Sequence, residues 1–137
     1  MDLNIVRSSR QAVRNIAERI ERARSSAEIA ERLLRQGSHA RTDRDKLSAD
    51  IAKIDELERK LIKQMSECAT EAIIAEDYIN TLPVKPEWRE VLRLRYVDGY
   101  PWGRVAREAG YSVDYCRRIN TKVFALVEMN TQSHILP

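Results

Sequence analysis

The 137 residues suit one small domain, or a small domain carrying an extended element, and a 33% share of charged residues beside only four glycines and four prolines favours helix over loop. One Phe, two Trp and five Tyr supply few large anchors, which excludes a large compact core and leaves Ala, Ile, Leu and Val to line helix seams. The net charge of +3 is unevenly placed, with 8 basic and 5 acidic groups over 1–36, 6 and 10 over 43–82, and 9 and 6 over 83–137, so a polyanion suits the C-terminal part best.

From Val6 to Leu34 the positions Val6, Ser9, Val13, Ile16, Ile20, Ala23, Ala27, Ala30 and Leu34 alternate spacings of three and four, which predicts an amphipathic helix with a narrow apolar seam. Glu18 with Arg22, Glu28 with Arg32, and Glu31 with Arg35 are acid-then-base pairs four apart, each worth about 0.2–0.5 kcal/mol on a solvated face. Residues 36–41 interrupt the pattern, and Gly37 stands where a helix C-terminus takes a left-handed residue. Thr42 then offers an N-cap hydroxyl, with Asp43 and Asp45 in the first turn of a new helix.

That second helix keeps heptad spacing over Leu47, Ile51, Ile54, Glu58, Leu61, Met65, Cys68, Ala72, Ala75, Ile79 and Leu82, with only Glu58 out of place. Either Leu57 takes the contact there and the seam drifts, or Glu58 pairs with an arginine of the first helix and fixes the register. Leu57, Ile62, Ala69, Ile73, Ile74 and Tyr78 widen the apolar stripe beyond what one neighbour needs. Helices of roughly 30 and 39 residues, about 45 and 58 Å long, predict a long antiparallel, coiled-coil-like hairpin over 1–82. A two-helix hairpin buries little, so the surplus stripe predicts self-association, most simply a homodimer, or packing against the C-terminal domain.

Pro83 and Pro86 end the long helix, and the rest, 83–137, reads as a second domain. Helices are expected over Glu87–Val97, Pro101–Ala109 and from Ser112, as cap, to about Met129, with a frayed polar tail NTQSHILP. Val91, Leu92, Leu94, Val105, Ala106, Ala109, Cys116, Ile119, Val123 and Phe124 fall at offsets that let the last helices share one core. Gly110 gives the turn a conformation most side chains resist. The two helices and the turn together make a helix-turn-helix pattern whose second helix is free to enter the DNA major groove.

Val113, Asp114, Tyr115, Arg117 and Arg118 face outward at the start of that helix and are the candidate base contacts. Arg forks onto guanine, Asp accepts from a cytosine amine and Val touches a thymine methyl. Arg95, Arg104, Arg107 and Lys122, with the cap Ser112, are candidate phosphate contacts, which position the protein without reading sequence.

The stretch LRLRYVDGYPWGRVAREAGYSVDYCRRI resembles the DNA-binding region 4 of bacterial sigma-70 factors over about residues 82–127. The whole chain resembles small phage-encoded regulators near the ArpU and RinA groups. The resemblance implies that Val113, Asp114 and Arg118 face bases while Arg95, Pro101, Trp102 and Lys122 lie along phosphates. A basic residue is usual where Val113 stands and a Ser or Thr cap where Pro101 stands, so the resemblance implies a base preference different from the promoter −35 element. Nothing resembles the sigma region that melts promoters. The resemblance therefore implies a DNA-binding transcriptional regulator of phage or prophage origin, with contact to RNA polymerase as a further expectation.

Cys68 and Cys116 have no metal or redox spacing and read as buried small hydrophobes in a reducing compartment. His39 and His134 have no ligand neighbours, and no phosphate loop or nucleophile motif occurs, so neither metal, cofactor nor enzymatic activity is expected. No run nears 18 apolar residues and the N-terminus lacks a signal-peptide core, which predicts a cytoplasmic protein without membrane contact. Two rivals share these features: a phage small terminase subunit, which would assemble as a ring, and a sigma mimic that occupies RNA polymerase without reading DNA.

Overall fold

The computed structural model describes residues 2–135, with side chains through Met129. Its elements are α1 (Ile5–Arg35), α2 (Arg41–Thr81), α3 (Pro86–Leu92) continued by a wide turn (Arg93–Val97), α4 (Trp102–Ala109) and α5 (Val113–Ile135). The described residues contain no strand, and the chain is all-α. It clusters into two compact units, one of Met1–Arg7 with Thr70–Pro137 and one of Ser8–Ala69. The division falls inside α2 rather than at Pro83, and the first seven residues join the C-terminal unit.

Within Ser8–Ala69, α1 ends as its glycine predicts. Gly37 takes φ 95, its N–H donates to the Leu34 carbonyl at 3.1 Å, and the Ser38 N–H reaches back to the Leu33 carbonyl at 3.1 Å. This pair of bonds satisfies carbonyls that a helix end otherwise leaves open. The expected N-cap at Thr42 is not found, because α2 already begins at Arg41. The hydroxyl of Ser38 does the work instead, accepting from the Ala40 N–H at 3.3 Å and donating to Asp43 at 2.6 Å.

The α1 seam is the expected one: Ser9, Ile20, Ala23 and Ala30 are buried, and Val13, Ile16, Ala27 and Leu34 are half-buried. On α2 one heptad row is as expected (Leu47, Ile54, Leu61, Cys68), but the other is displaced by one residue. Asp50, Leu57 and Gln64 turn inward, leaving Ile51 58%, Ile62 69% and Met65 53% exposed. Of the polar members of the inward row, Gln64 is satisfied by the partly polar seam, its Nε2 donating to Ser9 Oγ at 3.4 Å, whereas Asp50 Oδ2 is buried without a hydrogen-bond partner. Leu57 is 1% exposed and takes the contact that heptad spacing had placed at Glu58.

Glu58 nevertheless reaches α1, accepting from Arg24 Nη2 at 3.0 Å, while Arg24 Nη1 also meets Glu21 at 3.2 Å. Both partners of the Arg24–Glu58 pair are about half-exposed, and solvent screens such a pair. Arg24→Ala should therefore lower the unfolding free energy by less than about 1 kcal/mol, checked by urea titration against wild type; a larger loss would mean that the pair fixes the register. Among the described residues no ion pair joins Glu18 to Arg22, Glu28 to Arg32 or Glu31 to Arg35, since these long side chains stay solvated.

The other unit holds most of the core. Leu3 and Val6 are buried there with Ala75, Ile79, Leu82, Val91, Leu92, Leu94, Tyr96, Val105, Ala106, Cys116, Ile119 and Val123. Every residue expected in the C-terminal core is buried or half-buried, and Tyr96 is an addition. Its ring meets Phe124 edge-on at 6.0 Å, and its hydroxyl donates to Asn120 Oδ1 at 2.5 Å. Burial holds the phenol pKa above its ordinary value. Ile73 and Ile74 remain exposed on α2 in the single chain.

The helix expected over Glu87–Val97 is regular only to Leu92. At Arg93–Val97 the ladder widens by one residue: the Asp98 N–H reaches the Arg93 carbonyl at 3.0 Å, and Gly99, at φ 75, lets the Tyr100 N–H return to the Leu94 carbonyl at 3.0 Å. At the far end α5 runs to Ile135, past the expected stop near Met129, so the segment expected to fray is helical through Ile135. Leu136, Pro137 and the His134 side chain lie outside what the structure describes.

Candidate nucleic-acid interface

Helix α4 starts without a side-chain cap. Pro101 is its N-cap residue rather than its first turn, at φ −66 and ψ 157, and its carbonyl accepts from the Arg104 and Val105 N–H groups at 3.0 Å each. Proline's fixed φ suits an extended cap position and removes a donor that would be unpaired there. At the other end Gly110 takes φ 77, and the Gly110 and Tyr111 N–H groups both converge on the Ala106 carbonyl, at 2.9 and 3.0 Å. The chain then turns within three residues, and Ser112 Oγ accepts from the Tyr115 N–H at 3.1 Å, the cap that starts α5.

The two glycines at α4 make opposite demands. A methyl group at either Gly103 or Gly110 meets nothing within 4 Å, so space does not decide the outcome. Gly103→Ala should stabilise by about 0.5–1 kcal/mol through helix propensity. Gly110→Ala should destabilise by about 1–2 kcal/mol because its backbone is left-handed. Thermal unfolding of both variants gives the signs, and like signs would overturn the assignment of the turn.

The buried face of α5 is formed by Cys116, Ile119 and Val123, each at 1% exposure or less. Burial raises the Cys116 thiol pKa, as expected for a small core residue. On the other side Asp114, Arg117, Arg118 and Lys122 are exposed, and Tyr115 is 40% exposed with its ring edge-on to Tyr111 at 5.0 Å. Val113 is half-buried at the first turn. Asp114 sits in that turn, where the helix dipole favours an anion.

The expected phosphate set divides by how firmly each side chain is held. Arg95 projects from the wide turn with its guanidinium carbon 4.5 Å from the centre of the Trp102 ring, and its Nη1 donates to the Tyr100 carbonyl at 3.1 Å. Burial first, and then the nearby charges of Arg7 and Arg117, lower its proton affinity, while Tyr96 acts the other way. Arg104 lies 3.7 Å from the Tyr100 ring centre and 3.8 Å from Glu108. Pro101, Arg107 and Ser112 are exposed, and Trp102 is half-buried under Arg95.

Two features had no signal in the expected site. The ammonium groups of Lys85 and Lys122 each lie 5.8 Å from the centre of the Trp88 ring, which sets Lys122 beside an aromatic face. The Lys85 and Trp88 spacing of three was visible, but nothing in the sequence ties Lys122 to them. Arg7, 88 residues before Arg95, was equally invisible as its electrostatic neighbour.

Among the described residues no group of three or more His, Cys, Asp or Glu side chains is placed to hold a metal ion, and no helix is long and apolar enough to cross a membrane. Compared with protein-family models, with curated proteins and with solved structures, the chain matches none.

Proposed function

We propose that the chain is a sequence-specific DNA-binding transcriptional regulator of phage or prophage origin, in which α4, the three-residue turn and α5 act as a helix-turn-helix. The observation that carries this reading is the division of α5: Cys116, Ile119 and Val123 are sealed inward, while Asp114, Tyr115, Arg117 and Arg118 stand outward in its first two turns. A helix presented this way fits the major groove, with Val113, Asp114, Tyr115 and Arg118 at base edges. Arg95, Trp102, Arg104, Arg107 and Lys122 suit phosphates on either side, and the stacked arginines keep their planes fixed for that contact.

The long helices serve as an antiparallel hairpin for homodimerisation. Supporting this, α2 turns Asp50 and Gln64 inward and leaves Ile51, Ile62 and Met65 outward, the reverse of what a helix with only one neighbour would favour. A dimer would read two half-sites related by its two-fold axis.

Genome-wide mapping of DNA bound by the full chain tests the proposal. A recurrent sequence with two-fold character is the expected result, and the absence of any enriched sequence would overturn it. Light-scattering mass adds the second half: two chains support the dimer, and a ring of eight or more would favour DNA packaging.

A further inference from the structure

Helix α2 carries an apolar face that its own chain leaves open. Ile62, Ser66, Ala69 and Ile73 follow one another at spacings of four, three and four, so at about 100° per residue they fall within about 60° of one another on one continuous helix. Met65 and Ile74 flank them. All six are exposed, with Ile62 at 69%, Ile73 at 62%, Met65 at 53% and Ile74 at 52%. Apolar side chains grouped this way mark a contact surface, which singly scattered ones do not.

The charges around the face decide what covers it. Over 59–66 stand Arg59, Lys60 and Lys63 and no acid, while over 67–81 stand Glu67, Glu71, Glu76 and Asp77 and no base. The sign changes at the middle of the apolar face. Lys63, Glu76 and Asp77 take part in none of the ion pairs among the described residues. Arg59 meets Asp55 of its own helix at 2.7 Å and has further donors to give. Glu58, beside the basic stretch, already accepts from Arg24.

A surface whose two halves carry opposite charge is complementary to itself turned end for end. We propose that a second copy of the chain covers this face, the two α2 helices packing antiparallel about a two-fold axis between Glu67 and Cys68. Ile62 then lies opposite Ile73, and Ser66 opposite Ala69, so that small side chains at the centre let the helices approach closely. Arg59 comes to Glu76 and Asp77 of the second copy, and Lys63 comes toward its Glu71. The interface is isologous, so each contact is made twice. A parallel pair would instead set base on base and acid on acid. The proposal rests on the homodimer half of the functional reading, to which it adds the surface, the direction and the register.

Sedimentation equilibrium of the full chain at low salt tests it, with circular dichroism showing that each variant keeps its helices. Arg59→Glu with Lys63→Glu, and separately Glu76→Lys with Asp77→Lys, should each weaken the dimer about tenfold or more, while all four changes together should return it to within about threefold of wild type. Ile62→Glu should dissociate it. Weakening without recovery in the fourfold variant would overturn the antiparallel pairing. A dimer indifferent to both reversals and to Ile62→Glu would keep the homodimer reading and remove this face. A wild-type chain that stays monomeric at every concentration would overturn both together.

The register has its own readout, which needs no charge variant. A photo-crosslinking benzoylphenylalanine placed at Ile62 should join two chains through the peptide that contains Ile73, identified by mass spectrometry of the crosslinked dimer. A join from position 62 to position 62 would mean parallel helices and sink the proposal.

Discussion

Leu92→Ala should lower the unfolding free energy of the C-terminal unit by about 2–5 kcal/mol. Leu92 is fully buried at the end of α3, in the same core as Val91, Val105, Ile119 and Val123. Truncation loses the transfer free energy of its methyl groups and leaves a cavity that close-packed neighbours fill only in part. Both tryptophans of the chain, Trp88 and Trp102, belong to this unit, so their fluorescence during urea unfolding follows it directly. A loss below about 1 kcal/mol, smaller than any Leu-to-Ala cost expected of a packed core, would mean that α3 is not an anchor of the C-terminal core.

On the proposed DNA-binding reading, Arg118→Ala should weaken sequence preference without abolishing DNA binding. Arg118 is exposed on the outward side of α5 and takes part in none of the ion pairs among the described residues. A bidentate arginine at a base edge is worth about 1–3 kcal/mol of discrimination, so affinity for the preferred sequence should fall about 5- to 150-fold. Random DNA should lose no more than the effect of one charge. Competition between the mapped sequence and random duplex measures this ratio, and an unchanged ratio would take Arg118 out of base reading.

The C-terminal core was legible because its signals are local and agree with one another. Apolar offsets placed Val105, Ala106, Cys116, Ile119 and Val123 inward, Gly110 marked the turn and Ser112 the cap, and each of these is realised. The row of α2 that packs inward was misread for a physical reason. Pattern reasoning assigns Ile51 and Met65 to the seam because they are apolar, yet Asp50, Leu57 and Gln64 occupy it, with Gln64 satisfied by Ser9. A hydrogen bond between residues 55 apart leaves no trace in local periodicity. The same holds for Arg7: its place beside Arg95 depends on Leu3 and Val6 being buried in the same unit, not on any motif.

The wide turn at Arg93–Val97 is in effect a one-residue insertion in a helix. Each residue of an α-helix advances the side chains by about 100°, so a deletion that restored the regular ladder would swing everything beyond it around the axis by about that angle. Arg95 would lose the Tyr100 carbonyl and the Trp102 face together. Substitutions along this stretch alter one contact at a time, whereas a change of chain length there alters the aim of the whole candidate interface. That makes residues 93–97 the stretch where indels in related sequences would redirect the protein rather than merely weaken it.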